Sequence, residues 1–222
     1  MGKNVIITGA SGMVGGGVLI ECLESTEIDA VLIINRKSLP IDHPKLRQIE
    51  LHDFSKINSL KNELRGYDAL FYCMGVSAYP MKEDKYSHLT FDYVKAFADT
   101  FYSIHPKITF VYVTGRGTDS SESKGAMWAR VKGKTENYIL NKGFRHAFMF
   151  RPGIIIPKKG VRSRTPLYHM FYVLFRPIYG LLQRSQNITT TERIGRAMIH
   201  CLQKPFHSPI IDEKKINQWA LL

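Results

Sequence analysis

Asn4-Val5-Ile6-Ile7-Thr8-Gly9-Ala10-Ser11-Gly12-Met13-Val14-Gly15-Gly16-Gly17-Val18 decides the fold of this chain. Val5, Ile6 and Ile7 are apolar and β-branched, so residues 4–8 read as a buried strand. Glycines follow at positions 9, 12 and 15, and an apolar helix then runs toward Cys22-Leu23. Gly9 permits a tight turn, Gly12 lets the backbone approach a pyrophosphate, and Gly15 lets the helix pack on the strand. The first turn, with Ser11, Met13 and Val14, offers unpaired N–H groups and the positive end of the helix dipole, a cradle for phosphate. A strand–helix turn that holds no ligand is the plain alternative. Gly16 and Gly17 tell against it: they cost helix stability and are best explained by crowding against a neighbour.

Working outward, short β-rich runs alternate with helical patterns. Strands are expected at residues 4–8, 30–35, 46–51, 69–73, 108–114 and 146–151, with a short one at 208–211. Helices are expected at 12–23, 57–64, 88–103, 124–142, 166–183 and 190–203. Thr189 and Glu192 have capping-box spacing, and Gly143 follows Lys142 as a helix-ending glycine does. Val31-Leu32-Ile33-Ile34 and Ile108 to Val113 are apolar almost throughout, as in strands covered on both faces of a parallel sheet. The fold class is therefore α/β, a doubly wound parallel sheet of the Rossmann type. One dinucleotide-binding domain is expected to span residues 1–222, with 157–187 forming a small C-terminal helical lid on the substrate side.

Composition bounds the rest. A chain of 222 residues, 44% of them hydrophobic, builds one well-buried domain. Cys22, Cys73 and Cys201 lie far apart in apolar runs and read as buried, reduced thiols. A strand that starts by Asn4 leaves no room for a signal peptide, and Ile6 occupies the position where myristoylation requires Ser or Thr. The longest apolar stretch, 166–182, contains His169, Arg176, Pro177 and Gly180 and falls short of the ~20 residues that span a bilayer. A cytoplasmic protein without a metal site is expected. Three partners compete to explain the net charge of +12: an anionic cofactor, a nucleic acid and an anionic membrane surface. A generally basic, solvated surface is the plain reading. The cations are spread along the chain, densest at Lys158-Lys159, Arg162 and Arg164, and no recognition helix or clustered basic face supports nucleic-acid binding. The aromatic run from Pro166 to Phe175 reads as a roof over a substrate cleft, a membrane-surface helix, or a core or homodimer contact; all three stay open.

The end of the second strand chooses between cofactors. NAD-binding proteins usually place a carboxylate there for the ribose hydroxyls, whereas a 2′-phosphate needs cations. The chain reads Asn35-Arg36-Lys37, with no acid before Asp42, which favours NADP over NAD. Solvated loop residues are the plain alternative for Arg36 and Lys37.

In its ordered series of motifs the chain resembles the atypical short-chain dehydrogenase/reductases, in the branch of small NAD(P)H-binding proteins related to the Tat-interacting tumour suppressor. The likeness runs through Thr8 to Gly15, Asn35-Arg36-Lys37, Asp53-Phe54, Cys73 to Ser77, Asp92-Tyr93, Thr114 to Asp119, Val131 to Glu136 and Arg151-Pro152-Gly153. The resemblance implies that Asp53 and Phe54 lie at the adenine and that Met74, Gly75 and Val76 line the cofactor beside the nicotinamide ribose. It further implies that Lys132 bonds that ribose and that Pro152, Gly153 and Ile154 sit near the carboxamide. The activity it implies is that of a reductase or epimerase-type enzyme on a small substrate.

The chain departs from the family at the catalytic pair, Tyr-x-x-x-Lys. The matching stretch is Trp128-Ala129-Arg130-Val131-Lys132, with Trp128 in place of the tyrosine. An indole has one N–H donor and no acceptor, so it cannot serve as acid and base in turn. Thr114 is the nearest stand-in for the supporting serine. Tyr138-x-x-x-Lys142 fits the motif's letters but sits at the far end of the helix. Tyr79, His88, Tyr168 and His169 are substitute donors by location alone. A non-catalytic, NADPH-responsive protein-binding module is therefore the alternative to an enzyme.

Overall fold

The computed structural model describes residues 2–161, 185 and 187–222. The lid helix expected at 166–183 and the donors Tyr168 and His169 lie outside the described residues. The elements run β1 (Lys3–Thr8), α1 (Met13–Glu24), β2 (Ile28–Asn35), β3 (Leu46–Glu50), a 3-10 helix (Phe54–Leu60), β4 (Ala69–Tyr72), α2 (Glu83–Ser87), a π turn (His88–Asp92) and α3 (Tyr93–Ile104). They continue with β5 (Thr109–Val113), α4 (Met127–Leu140), β6 (His146–Arg151), β7 (Ile154–Ile156), β8 (Ile188–Thr190), α5 (Thr191–Gln203), β9 (Ile210–Asp212) and α6 (Glu213–Trp219).

Seven parallel strands form the central sheet in the order β3-β2-β1-β4-β5-β6-β9. This is the doubly wound α/β sheet that the apolar strands foretold. Strand alternation sends Val5 and Ile7 into one core, with Val18, Leu19, Ile194 and Met198. Ile6 enters the other, with Tyr72, Phe97, Phe101 and Phe110. Both cores exclude water, which is why β1 shows no polar alternation. The helices α1 and α5 cross so closely that a Cβ at Gly17 would lie 2.4 Å from Thr191 Cβ, and one at Gly195 would lie 2.7 Å from Glu21 Cγ. The extra glycine at 17 is thus a product of crowding, as its sequence context implied.

Several local expectations are corrected. The helix expected at 57–64 is a 3-10 helix over Phe54–Leu60, because Asp53 caps it early by accepting from Ser55 N at 3.0 Å. The single helix expected at 88–103 is a π turn followed by α3, and the short α2 leads into them from Glu83. The cap of α5 is Thr190 rather than Thr189: its side chain accepts from Arg193 N at 3.0 Å. Pairing of β8 with β7 sets that register, and Thr191 Oγ1 accepts from Lys158 N at 3.0 Å. The α4 helix starts at Met127, three residues later than expected, and ends before Gly143, whose φ of +95° suits glycine. Cys22 and Cys201 are buried, but Cys73 is only half-buried.

Gly17→Val should push α5 off α1 and destabilise the fold by about 1–3 kcal/mol through overpacking. Urea unfolding followed by circular dichroism measures this, and a variant as stable as the parent would contradict the close crossing.

Candidate functional site

The strands β1 and β4 are neighbours in the sheet although β2 and β3 come between them in the chain. The sheet order reverses there, and ligands of open α/β sheets bind at such a switch point. At the carboxyl end of β1 Gly9 has a φ of +70°, and a Cβ on it would lie 2.7 Å from the Met74 backbone. Gly12 N donates to Gly9 O at 2.8 Å and closes the turn. A Cβ at Gly15 would lie 2.3 Å from Gly9 O, so only glycine lets α1 start this close to the strand. The N-cap Gly12 contributes no side-chain cap and the first turn carries no acid, so the helix start is left for an outside acceptor.

A cavity of about 290 Å³ opens at this point. The glycine turn gives it Gly9, Ser11 and Gly12; the end of β2 gives Asn35 and Arg36. The exit of β3 gives His52 and Phe54, and the exit of β4 gives Cys73, Met74, Gly75 and Val76. Leu89 of the π turn and Tyr93 close it from the far side. Phe54 and Tyr93 meet at 5.8 Å between ring centroids, an aromatic wall. No Asp or Glu is among these lining residues. No hydrogen bond or ion pair found among the described residues engages the side chain of Arg36 or Lys37. The buried Asn35 Nδ2 and Thr8 Oγ1 have no hydrogen-bond partner. Uncapped helix, uncommitted cations and an orphaned amide together fit an anionic ligand such as a dinucleotide.

Met13, Val14, Gly15, Lys37 and Asp53 border this cavity in sequence without lining it. The Asp53 carboxylate turns back to its own loop, where the Ser55 hydroxyl donates to it at 2.7 Å and helps hold its pKa below the usual carboxylate range. His52, Leu89 and Tyr93 were not singled out as site residues from the sequence. A single histidine in a turn gives no pattern, and the π turn that aims Leu89 inward leaves no periodicity in the sequence.

The second group of expected residues meets at the carboxyl ends of β5 and β6. Lys132 Nζ donates to Thr114 O at 2.7 Å. A Cβ on Gly115 would lie 4.0 Å from that nitrogen and 3.9 Å from Pro152 O, so Lys132 and Pro152 converge on one glycine. Gly153 faces the Arg116 guanidinium, which pairs with Glu213 at 2.8 Å, and Ile154 is half-exposed on β7. Trp128 is half-buried against Gly117. The Thr114 hydroxyl donates to Glu136 Oε1 at 2.6 Å, within a buried cluster where the Arg151 guanidinium grips the same carboxylate. Its proton is thus committed to the protein. Burial lowers the Lys132 ammonium from its ordinary 10.5 to about 8, and Glu136 one turn away offsets part of that fall.

The Tyr138 and Lys142 side chains both engage Asp99 on α3, away from the cavity, and form a structural cluster. Tyr79 is exposed, and His88 Nδ1 lies 3.0 Å from Asp92 Oδ2. Among the described residues no helix is long and apolar enough to cross a membrane, and no group of side chains is placed to hold a metal ion.

No known family profile matches the chain. It is 29% identical to Protein HTATIP2 of Rattus norvegicus over 156 residues, 69% of this chain and 63% of that protein. The match therefore spans less than two thirds of the rat protein's length. In sequence the chain thus resembles the Tat-interacting-protein branch of the atypical short-chain dehydrogenase/reductases. The mitochondrial protein fmp52-2 of Aspergillus terreus is 27% identical over 168 residues, covering 73% of this chain and 70% of the fungal protein. In fold, it superposes on a Bordetella bronchiseptica enzyme, WbmH, solved with NAD+, at a TM-score of 0.69 and 17% identity over 95% of this chain and 74% of that one. A Francisella tularensis short-chain dehydrogenase family protein superposes at 0.68 and 14% identity, over 98% and 99% of the two chains.

Two outcomes follow from the buried cluster. Arg151→Leu leaves the fully buried Glu136 carboxylate without its cation and should cost about 3–5 kcal/mol in urea unfolding, while Arg151→Leu with Glu136→Leu should recover most of it. Equal losses in the single and double variants would mean the pair is not coupled. The lowered pKa of Lys132 means that the unfolded chain binds the extra proton between about pH 8 and the ordinary 10.5. This residue's contribution to stability thus rises with pH across that window, and Lys132→Met should flatten the rise.

Proposed function

We propose that this chain binds a nicotinamide dinucleotide across the carboxyl ends of β1, β2 and β4, and that it prefers NADP(H) to NAD(H). The observation that carries the reading is the single cavity that unites the glycine turn, Asn35-Arg36, Phe54 and Met74 to Val76. The NAD+ held by the fold neighbour WbmH supports it. In this reading the backbone N–H groups at Gly12, Met13, Val14 and Gly15, with Ser11, take the pyrophosphate. Arg36 and Lys37 take the 2′-phosphate beside Asn35. Asp53 and Phe54 flank the adenine, Met74 to Val76 line the nicotinamide ribose, Lys132 bonds its hydroxyls, and Pro152, Gly153 and Ile154 meet the carboxamide. One domain spans the chain, and the protein works in the cytoplasm.

The bound cofactor supplies or accepts hydride. The residues of this chain place it and shape the site of the acceptor. Trp128 can donate one hydrogen bond to a substrate oxygen but cannot exchange a proton with it. A positioned proton donor is worth about 10²–10⁴-fold, while holding two reactants together is worth up to about 7–11 kcal/mol. Slow reduction or epimerisation of a small apolar substrate is therefore compatible with Trp128. The second reading is a non-catalytic module in which bound NADPH stabilises a surface for a protein partner or a second copy of the chain. Trp128 and the committed Thr114 hydroxyl favour it.

NADPH at about a hundred times its dissociation constant should stabilise the fold by about 2.7 kcal/mol, a melting shift of several degrees. NADH at the same concentration should shift it less, and Arg36→Ala should erase the difference; equal shifts in the parent would end the NADP reading. For turnover, Trp128→Tyr and the parent are screened against aldehydes and ketones with NADPH. A gain confined to Trp128→Tyr supports the non-catalytic reading. Turnover by the parent that Lys132→Ala abolishes refutes it.

A further inference from the structure

His52 has no part in the reading above, yet it lines the same cavity as Arg36. Leu51 N donates to Asn35 O at 2.8 Å, which holds the ends of β2 and β3 abreast. The next residue on each strand is the cavity's cation on one side, Arg36, and its histidine on the other, His52. Both side chains are exposed at the rim. No hydrogen bond or ion pair found among the described residues engages the imidazole. The charged and titratable groups nearest to it in the fold are Arg36 and Lys37 from the loop after β2, Glu50 at the end of β3, Asp53 and Lys56 at the start of the 3-10 helix, and Tyr93 across the cavity. The carboxylates are occupied: Glu50 Oε1 accepts from Ser38 N at 2.7 Å, and Asp53 accepts from Ser55. The Glu50 carboxyl is held below its ordinary pKa chiefly by Ser38, with smaller help from His52 and Lys37. An anion arriving beside Arg36 would thus find the imidazole without a competing acceptor.

We propose that His52 is a further donor of the 2′-phosphate site beside Arg36 and sets part of the preference for NADP(H) over NAD(H). This deepens the cofactor reading and rests on it. An imidazolium offers two donors and a positive charge to a phosphate, whereas neutral imidazole keeps one donor and no charge. A ribose hydroxyl gains far less from that charge, so the effect falls on discrimination.

The test is calorimetric titration of the full chain with NADPH and with NADH. The parent, His52→Ala and Arg36→Ala are compared, and circular dichroism establishes that each is folded. The ratio of dissociation constants, NADH over NADPH, should fall about tenfold in His52→Ala, the loss of one charge-assisted hydrogen bond to the phosphate, with the NADH constant nearly unchanged; it should fall in Arg36→Ala as well. An unchanged ratio in His52→Ala, or an equal weakening of both cofactors, overturns the role of His52 and leaves the NADP reading intact. A parent that binds both cofactors equally overturns the NADP reading together with this one. Failure to bind either dinucleotide overturns the cofactor reading as a whole.

Discussion

The backbone of Gly9 rests against the backbone of Met74, and the geometry of the cavity depends on that contact. A methyl group on Gly9 would sit 2.7 Å from Met74, so any side chain there would force β1 and β4 apart at their carboxyl ends. Because none is present, the turn after β1 and the wall after β4 border one space. Gly15 repeats the logic one helical turn later by letting α1 begin against the Gly9 carbonyl. The direction of α1 is thereby fixed, with its uncapped first turn next to the ends of the strands. Sheet order, cavity and anion-seeking helix start are consequences of the same two bare backbone positions.

The ends of β5 and β6 are built on the opposite principle. Glu136 is fully buried and would be expensive there as a lone charge. The Arg151 guanidinium and the Thr114 hydroxyl meet it, and Arg151 also reaches Ser120 Oγ at 2.6 Å. These bonds tie β5, β6, α4 and the loop after Thr114 into one unit. Gly133 shows how close that loop lies to α4, since a Cβ there would overlap Asp119 O at 1.7 Å. Lys132 is carried on the same helix and inherits its burial from the arrangement. Its lowered pKa therefore reflects a packing decision made by its neighbours. The ends of β1 and β2 leave donors open, whereas the ends of β5 and β6 have satisfied theirs within the protein.

Much of this was legible in the sequence, and the failures have physical causes. The strands β1, β2 and β5 could be read because both of their faces are buried, which leaves a run of apolar residues with no ambiguity of register. The glycine turn could be read because steric exclusion admits a single residue type. The cap of α5 could not, because Thr189, Thr190 and Thr191 are each chemically able to cap, and pairing of β8 with β7 chooses between them. The helix α6 was missed because seven residues with two lysines show only Ile216 and Trp219 as an apolar face. Three-residue strands such as β7 and β8 are too short for a period to emerge. His52 was passed over because its place beside Arg36 arises from the abutment of two strand ends far apart in the chain.

Charge separates the cavity from the rest of this basic molecule. With 31 Lys and Arg against 19 Asp and Glu, the acids are too few to neutralise every cation. Their placement decides which cations remain available. Glu21 and Glu24 are matched by Lys159, Glu192 by Arg196, Glu83 by Arg130, Glu136 by Arg151 and Asp99 by Lys95 and Lys142. The acids nearest the β2 exit, Glu50 and Asp53, are spent on the backbone and hydroxyls of Ser38 and Ser55. Arg36 and Lys37 are thus left uncompensated by how the carboxylates are used, beside an uncapped helix start that attracts the same sign of ligand. A basic surface alone would draw any polyanion. A pair of unspent cations at the edge of a cavity whose lining residues include no acid, with Phe54 and Tyr93 as its aromatic wall, confines that attraction to one place.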